Sequence, residues 1–164
     1  MRSHSDPRVI IGSVVAVAAS GVLGFVAPLG TPAVGSTTAE HAQERTVVTA
    51  TLHGRKEVPG PGDPDGKRHV VIALCPAKDR ICGLKLGWQN LGKVTGAHIH
   101  HGRRGDSGDI VVDFTRWVKQ GPPCVKVSHA LMEGIAHQPW RYYFNMHTKA
   151  FPAGAIRGQL HYRN

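Results

Sequence analysis

Short runs of β-branched and aromatic residues, separated by turns rich in proline and glycine, extend along the chain from residue 46 onward. Segment 57–66 is a clear example, because its density of proline and glycine excludes regular structure and indicates a long turn. Short β-rich runs between such turns are typical of strands in a sandwich or barrel. The predicted strands are 46–52, 69–74, 81–88, 94–101, 110–114, 140–147 and 155–162.

One segment departs from this strand pattern. Leu131 and Ile135 are four residues apart, Ser128 is a suitable N-cap, and no proline follows until Pro139. Apolar residues at this spacing lie on one face of a helix. The sequence therefore predicts a mostly β, antiparallel sandwich or barrel with one short helical segment near 128–138.

The N-terminus has the organisation of an export signal. Arg2 and Arg8 accompany an apolar run, 9–27, that contains no charged residue. This run is longer than the about 7–15 residues of an ordinary signal core, so an uncleaved membrane anchor is the alternative to a cleaved signal. Either outcome predicts a secreted or cell-surface protein.

A run of small residues at 37–39 is suited to cleavage and sets the predicted division of the chain. We expect residues 1–39 to form the signal segment, 40–45 a polar linker and 46–164 a single β domain. A domain of this length is large enough to bury one hydrophobic core.

The chain is basic, with a formal net charge of +9 at pH 7. Such an excess favours an anionic partner, for example a cell-envelope polymer. An extracellular protein is the alternative partner. The positive charges are scattered along the sequence, and no basic-aromatic RNA-binding motif occurs. Nucleic acid is therefore not an expected partner.

Three cysteines occur, and export makes a disulfide plausible. Cys75 and Cys82 flank a segment that is typical of a hairpin connection, so a bond between them is the favoured pairing. Cys124 is the alternative partner for either one, because connectivity does not follow from sequence.

Two segments resemble the CHRD domain family. The first is Gly-Ala-His-Ile-His-His-Gly at 96–102 with its continuation to residue 114, and the second covers 142–160. The resemblance extends over about residues 47–162. It implies an immunoglobulin-like or superoxide-dismutase-like β fold outside the cytoplasm. The family is not associated with an enzymatic reaction, so no catalytic residue is expected.

The two CHRD-like segments also contain the chain's concentrated polar chemistry. His98 and His100 are two apart on a predicted strand and therefore face the same way. His147 stands two residues after Asn145 on a later strand. If these strands are neighbours, three imidazoles converge, which predicts a copper or zinc site. An oxygen ligand, or a hydrogen-bond acceptor that fixes the tautomer of one ring, would come from one of two carboxylates, that of Asp113 or alternatively that of Asp109.

The same side chains also fit a purely structural polar network. Histidines at strand ends commonly anchor loops, and here loops 102–108 and 148–154 need such anchors. The network would also contain Asn145, Arg157 and Gln159. In this interpretation the Arg157 guanidinium binds a carboxylate such as that of Asp113 or Glu57.

The string Gly96-x-His98-x-His100 is also similar to the copper-binding strand of the copper-zinc superoxide dismutases, although the zinc loop of that family is missing here. A redox reaction at a bound metal is the least supported interpretation. We expect an exported, non-catalytic CHRD-type binding or structural module. A metal-binding β-sandwich protein is the alternative.

Overall fold

A computed structural model describes residues 45–87 and 91–164. The predicted signal segment, 1–39, and all but the last residue of the predicted linker lie outside the described residues. Within the part that is described, no helix is both long and apolar enough to cross a membrane.

Strands are the largest class of structure in the described chain, at 44%, with two short α-helices between them. The strands are β1 (Thr46–His53), β2 (Lys67–Cys75), β3 (Arg80–Leu86), β4 (Val94–His101), β5 (Ile110–Asp113), β6 (Cys124–Lys126), β7 (Tyr142–Thr148), β8 (Ile156–Gln159) and β9 (His161–Tyr162). The helices are α1 (Thr115–Gln120) and α2 (His129–His137).

The strands form one antiparallel sheet in the order β5-β4-β7-β8-β1-β2-β3-β6, with β9 also pairing with β1. The sheet curls into a nearly closed barrel, which confirms the predicted fold class. This order places β4 and β7 side by side, although about forty residues separate them in sequence.

Alternation along β4 and β7 decides which side chains form the core. Ala97 and Ile99 lie opposite Met146 and Phe144 respectively, and all four are fully buried on the inner face. Burying a large apolar side chain contributes about 1.5–3 kcal/mol, so these residues hold the register firmly. The residues between them therefore point to the other face of the sheet.

The predicted helix corresponds to α2. The Ser128 hydroxyl accepts a hydrogen bond from the Leu131 N–H at 3.2 Å and so caps the first turn. Met132 and Ile135 are the fully buried side chains of this helix, while Leu131 is only partly buried.

The sequence pattern missed α1 and β6 and merged β8 with β9. The N-cap residue of α1 makes no side-chain cap bond, but the Asp113 carboxylate accepts the N–H of Thr115, the first helical residue, at 2.7 Å. The helix is also held by Trp117, which is 4% exposed and lies against Gly83, where a β-carbon would approach the indole ring to 2.5 Å. The final strand is interrupted at Leu160, whose side chain is fully buried.

The disulfide joins Cys82 to Cys124, which corrects the favoured pairing of Cys75 with Cys82. Cys82 and Cys124 lie directly opposite in the β3–β6 register, with their Cα atoms 4.0 Å apart. Cys75 instead lies opposite Arg80, two residues from Cys82. Such diagonal neighbours are about 7–8 Å apart, beyond the reach of an unstrained disulfide, so Cys75 remains a free thiol.

Replacing Cys124 by Ser should lower the free energy of unfolding by about 2–4 kcal/mol, because the disulfide closes a loop with a sequence separation of 42. Urea denaturation under oxidising conditions measures this change. Cys75→Ala is the control and should shift the free energy by less than about 1 kcal/mol. Equal effects of the two substitutions would contradict the assigned pairing.

Candidate metal centre

Three histidines converge on the outer face of the β4–β7 pair. His98 and His100 project from β4, and His147 projects from β7, where it lies opposite Gly96. The ring centroid of His98 is 5.7 Å from that of His100 and 5.0 Å from that of His147. One nitrogen from each of the three rings lies within 4.8 Å of the others. The structure therefore brings together the three predicted residues.

Gly96 makes room for these rings. A β-carbon at this position would lie 2.9 Å from Cε1 of His98 and 3.4 Å from Cδ2 of His147. A side chain there would displace the His98 ring, so the glycine is part of the site.

Backbone carbonyls hold two of the rings. Nδ1 of His100 lies 2.9 Å from the Gly108 oxygen, and Nδ1 of His147 lies 2.9 Å from the Pro152 oxygen. Because a carbonyl can only accept, each Nδ1 carries the proton and donates it. In the neutral ring, Nε2 then presents a lone pair.

The third ring is held through its other nitrogen. Nε2 of His98 lies 3.3 Å from the Thr115 hydroxyl oxygen and 3.7 Å from Oδ1 of Asp113. The same carboxylate oxygen accepts the Thr115 N–H at 2.7 Å, which fixes its position. Hydrogen bonding from Thr115, through its side chain first and its backbone N–H second, lowers the pKa of Asp113, so this carboxylate is ionised and favours a proton on Nε2 of His98.

The opposite nitrogen of each ring has no partner. Nδ1 of His98 and Nε2 of His100 and His147 are buried and make no hydrogen bond to the described residues. Burial is the main cause that lowers the pKa of both His98 and His100, so these rings are neutral at pH 7. The site therefore presents nitrogen lone pairs that accept no hydrogen bond, and an imidazole binds a metal through such a lone pair.

The spacing suits an ion after a small closure. In a tetrahedral site with metal–nitrogen bonds of about 2.0–2.1 Å, the nitrogens lie about 3.3 Å apart. The nitrogens lie within 4.8 Å of one another, so each needs to move inward by no more than about 1 Å.

Tyr143 lies between His100 and the guanidinium of Arg157. Its ring stacks on His100 with a centroid distance of 4.7 Å and an interplanar angle of 6°. The guanidinium carbon of Arg157 lies 3.6 Å from the centroid of the same ring. Arg157 also donates hydrogen bonds to the Asp106 carbonyl at 2.9 Å and the Arg103 carbonyl at 3.3 Å.

These contacts correct one predicted interaction. Arg157 was expected to bind the carboxylate of Asp113 or Glu57, but its hydrogen bonds go to the glycine-rich loop because that loop folds over β8. Gln159 lies beside it, and its amide nitrogen is 2.7 Å from the Gly102 carbonyl oxygen. The predicted polar side chains thus anchor loop 102–108.

Glu57 is the site residue whose importance the sequence did not reveal. It is 8% exposed, and the Asn145 amide donates to its two oxygens at 2.7 and 2.9 Å. Burial raises the pKa of Glu57 to about 7, and the charge of Arg157 opposes this only in part. Gly154 packs against the same carboxylate, where a side chain would not fit. The sequence signalled Glu57 only through its position at the start of the Pro/Gly turn and as one possible carboxylate partner of Arg157.

Glu57→Gln should remove a pH dependence of stability. The folded protein retains the Glu57 proton up to about pH 7, whereas the unfolded chain loses it near its ordinary pKa of 4.5. Within this window the folded state binds more protons, so the Glu57 contribution to the free energy of unfolding falls as pH rises. The lowered pKa values of His98 and His100 act in the opposite direction.

The difference between the two proteins therefore isolates Glu57. Relative to the wild type, the variant should gain about 1–3 kcal/mol between pH 5 and pH 8. Urea denaturation at both pH values measures this gain. A difference between the proteins that does not change with pH would contradict the raised pKa.

The CHRD domain family model matches residues 48–160. This match includes all three histidines, Glu57 and the arginine that covers Tyr143. Comparisons with curated proteins and with solved structures find no match.

Proposed function

The chain belongs to the CHRD domain family, and on this basis we propose that it is an exported, non-catalytic module that binds one copper or zinc ion through His98, His100 and His147. The family match supports a module of the extracellular type. The observation that carries the metal proposal is the set of buried, unpartnered ring nitrogens, one on each histidine.

A structural network alone accounts for only half of the imidazole nitrogens. One nitrogen of each ring, here called the outer nitrogen, orients the ring by bonding to a carbonyl or to the Thr115–Asp113 pair. The other, inner nitrogen of each ring has no partner in that network, and an unpartnered buried polar atom costs about 1–3 kcal/mol. Metal-bound histidines typically bond to a carbonyl or carboxylate through the second nitrogen, which is the arrangement found here.

The donor set favours copper or zinc over harder ions. The candidate ligands are three imidazoles with no carboxylate among them. Calcium and magnesium prefer oxygen ligands, whereas neutral imidazole suits zinc and copper. Three protein ligands leave a fourth position open for water or another small ligand.

Metal titration of untagged protein tests the site. We expect one equivalent of Zn²⁺ or Cu²⁺ to bind in isothermal titration calorimetry. Binding should raise the free energy of unfolding by about 2.7 kcal/mol at a free metal concentration of 100 times Kd. His98→Ala, His100→Ala and His147→Ala should each abolish stoichiometric binding.

His137→Ala is the matched control, because this exposed ring on α2 bonds to Glu133 and lies outside the cluster. It should leave the stoichiometry unchanged. Binding that survives loss of all three cluster histidines, or that falls equally with His137→Ala, would refute the proposed ligand set.

Two further features support export. The basic and apolar N-terminus is typical of a signal, and the Cys82–Cys124 disulfide fits an oxidising compartment. Cell fractionation with N-terminal sequencing tests this proposal. Cleavage predicts a secreted chain that begins near Glu40, whereas an uncleaved anchor predicts retention in the membrane fraction. Intact, reduced chain confined to the cytosol would overturn it.

A further inference from the structure

A basic cavity is lined in part by Arg157, the residue that packs on Tyr143, and none of the three clustered histidines lines it. It has a volume of about 220 Å³. Its walls come from β1, the turn after β1, the glycine-rich loop and the C-terminal strands. The lining side chains that can donate hydrogen bonds are those of Thr51, Lys56, Arg104, Arg157, Gln159 and His161. No acidic residue is among those that line it in the described part of the chain.

The cationic side chains around this cavity form no ion pair with a carboxylate of the described residues, although Arg157 lies close enough to Glu57 for its charge to offset part of the rise that burial causes in the pKa of that carboxyl. Each ion pair among the described residues joins a histidine to a carboxylate, so none involves Lys56, Arg104 or Arg157. Burial lowers the pKa of Lys56, and the like charges of Arg104 and Arg55 lower it further. Holding these cations together costs free energy that a bound anion would offset.

Donors in the cavity are both available and positioned. The Lys56 ammonium donates to the Thr51 carbonyl at 2.9 Å, which fixes it and leaves two N–H groups for a ligand. The Arg157 guanidinium is 3% exposed as a residue and is held by loop carbonyls and the Tyr143 ring. Arg104 makes no side-chain hydrogen bond to the described residues, so all the N–H donors of its guanidinium can bind a ligand.

We propose that this cavity binds a phosphate group, either as free phosphate or as the phosphomonoester of a larger molecule. A phosphate group has a charge of about −1.5 to −2 and three strong acceptor oxygens at pH 7, which matches several converging cations. Arginine and lysine are the side chains that recognise it. The cavity is smaller than the about 300–1,000 Å³ of pockets for drug-sized ligands, so it accommodates a compact group.

This site is independent of the metal proposal, since the two share no ligand residue. The test is an NMR titration of metal-free protein at constant ionic strength, with inorganic phosphate in one arm and glucose 6-phosphate in the other. Saturable shifts of the Gly105 and Gly158 amides are expected, because both glycines line the cavity. Binding of inorganic phosphate at least as tight as that of the ester indicates free phosphate, and tighter binding of the ester indicates a phosphomonoester.

The double variant Lys56→Gln/Arg104→Gln should weaken phosphate binding by at least about tenfold, since it removes two charge-assisted contacts. Arg80→Gln/Lys85→Gln is the matched control, because it removes the same two residue types from exposed positions on β3. It should change the affinity by less than about twofold.

Should the double variant fail to fold, Arg104→Gln alone keeps the test valid, because that side chain makes no hydrogen bond and no ion pair with the described residues. It should still weaken binding by several-fold. The absence of saturable shifts with both probes, or equal weakening in the variant and the control, would overturn the proposal.

Discussion

The antiparallel pairing of β4 with β7 is the constraint on which both the core and the polar site depend. On the inner face, Ile99 and Phe144 lie opposite each other and are fully buried. Since side chains alternate, this register places His98, His100 and His147 on the outer face. A slip of one residue would bury the histidines and expose the apolar set, so hydrophobic packing fixes the position of the metal-ligand candidates.

Loop anchoring and metal binding are two aspects of one arrangement. Each imidazole has an outer nitrogen that bonds to a loop or to the start of α1, and an inner nitrogen that is left free. The outer bonds set the tautomer and the ring direction. The loops in turn owe their position to these same bonds. A metal would therefore stabilise the glycine-rich loop as well as the histidine cluster.

Arg157 joins the polar face to the basic cavity. Its guanidinium stacks on Tyr143, which stacks on His100, and it also lines the cavity. The two proposed sites thus differ in charge but are in contact through one packed chain of side chains. The histidine cluster presents unpartnered ring nitrogens and suits a cation, whereas the cavity is lined by cations and suits an anion.

The sequence by itself determined the features that depend on neighbouring residues. The two-residue spacing placed His98 and His100 on one face, the capped segment at 128–138 gave α2, and the turn pattern gave the β fold. These features follow from local backbone geometry, in which the period of side-chain direction is fixed.

Only the tertiary structure decided the contacts between distant segments. It placed His147 beside the β4 histidines, joined Cys82 to Cys124 and buried Glu57 against Asn145. Strand order and register set these distances, and neither is encoded in a single stretch of chain. The helix α1 was missed for the same reason, because it depends on the packing of Trp117 against the distant residue Gly83.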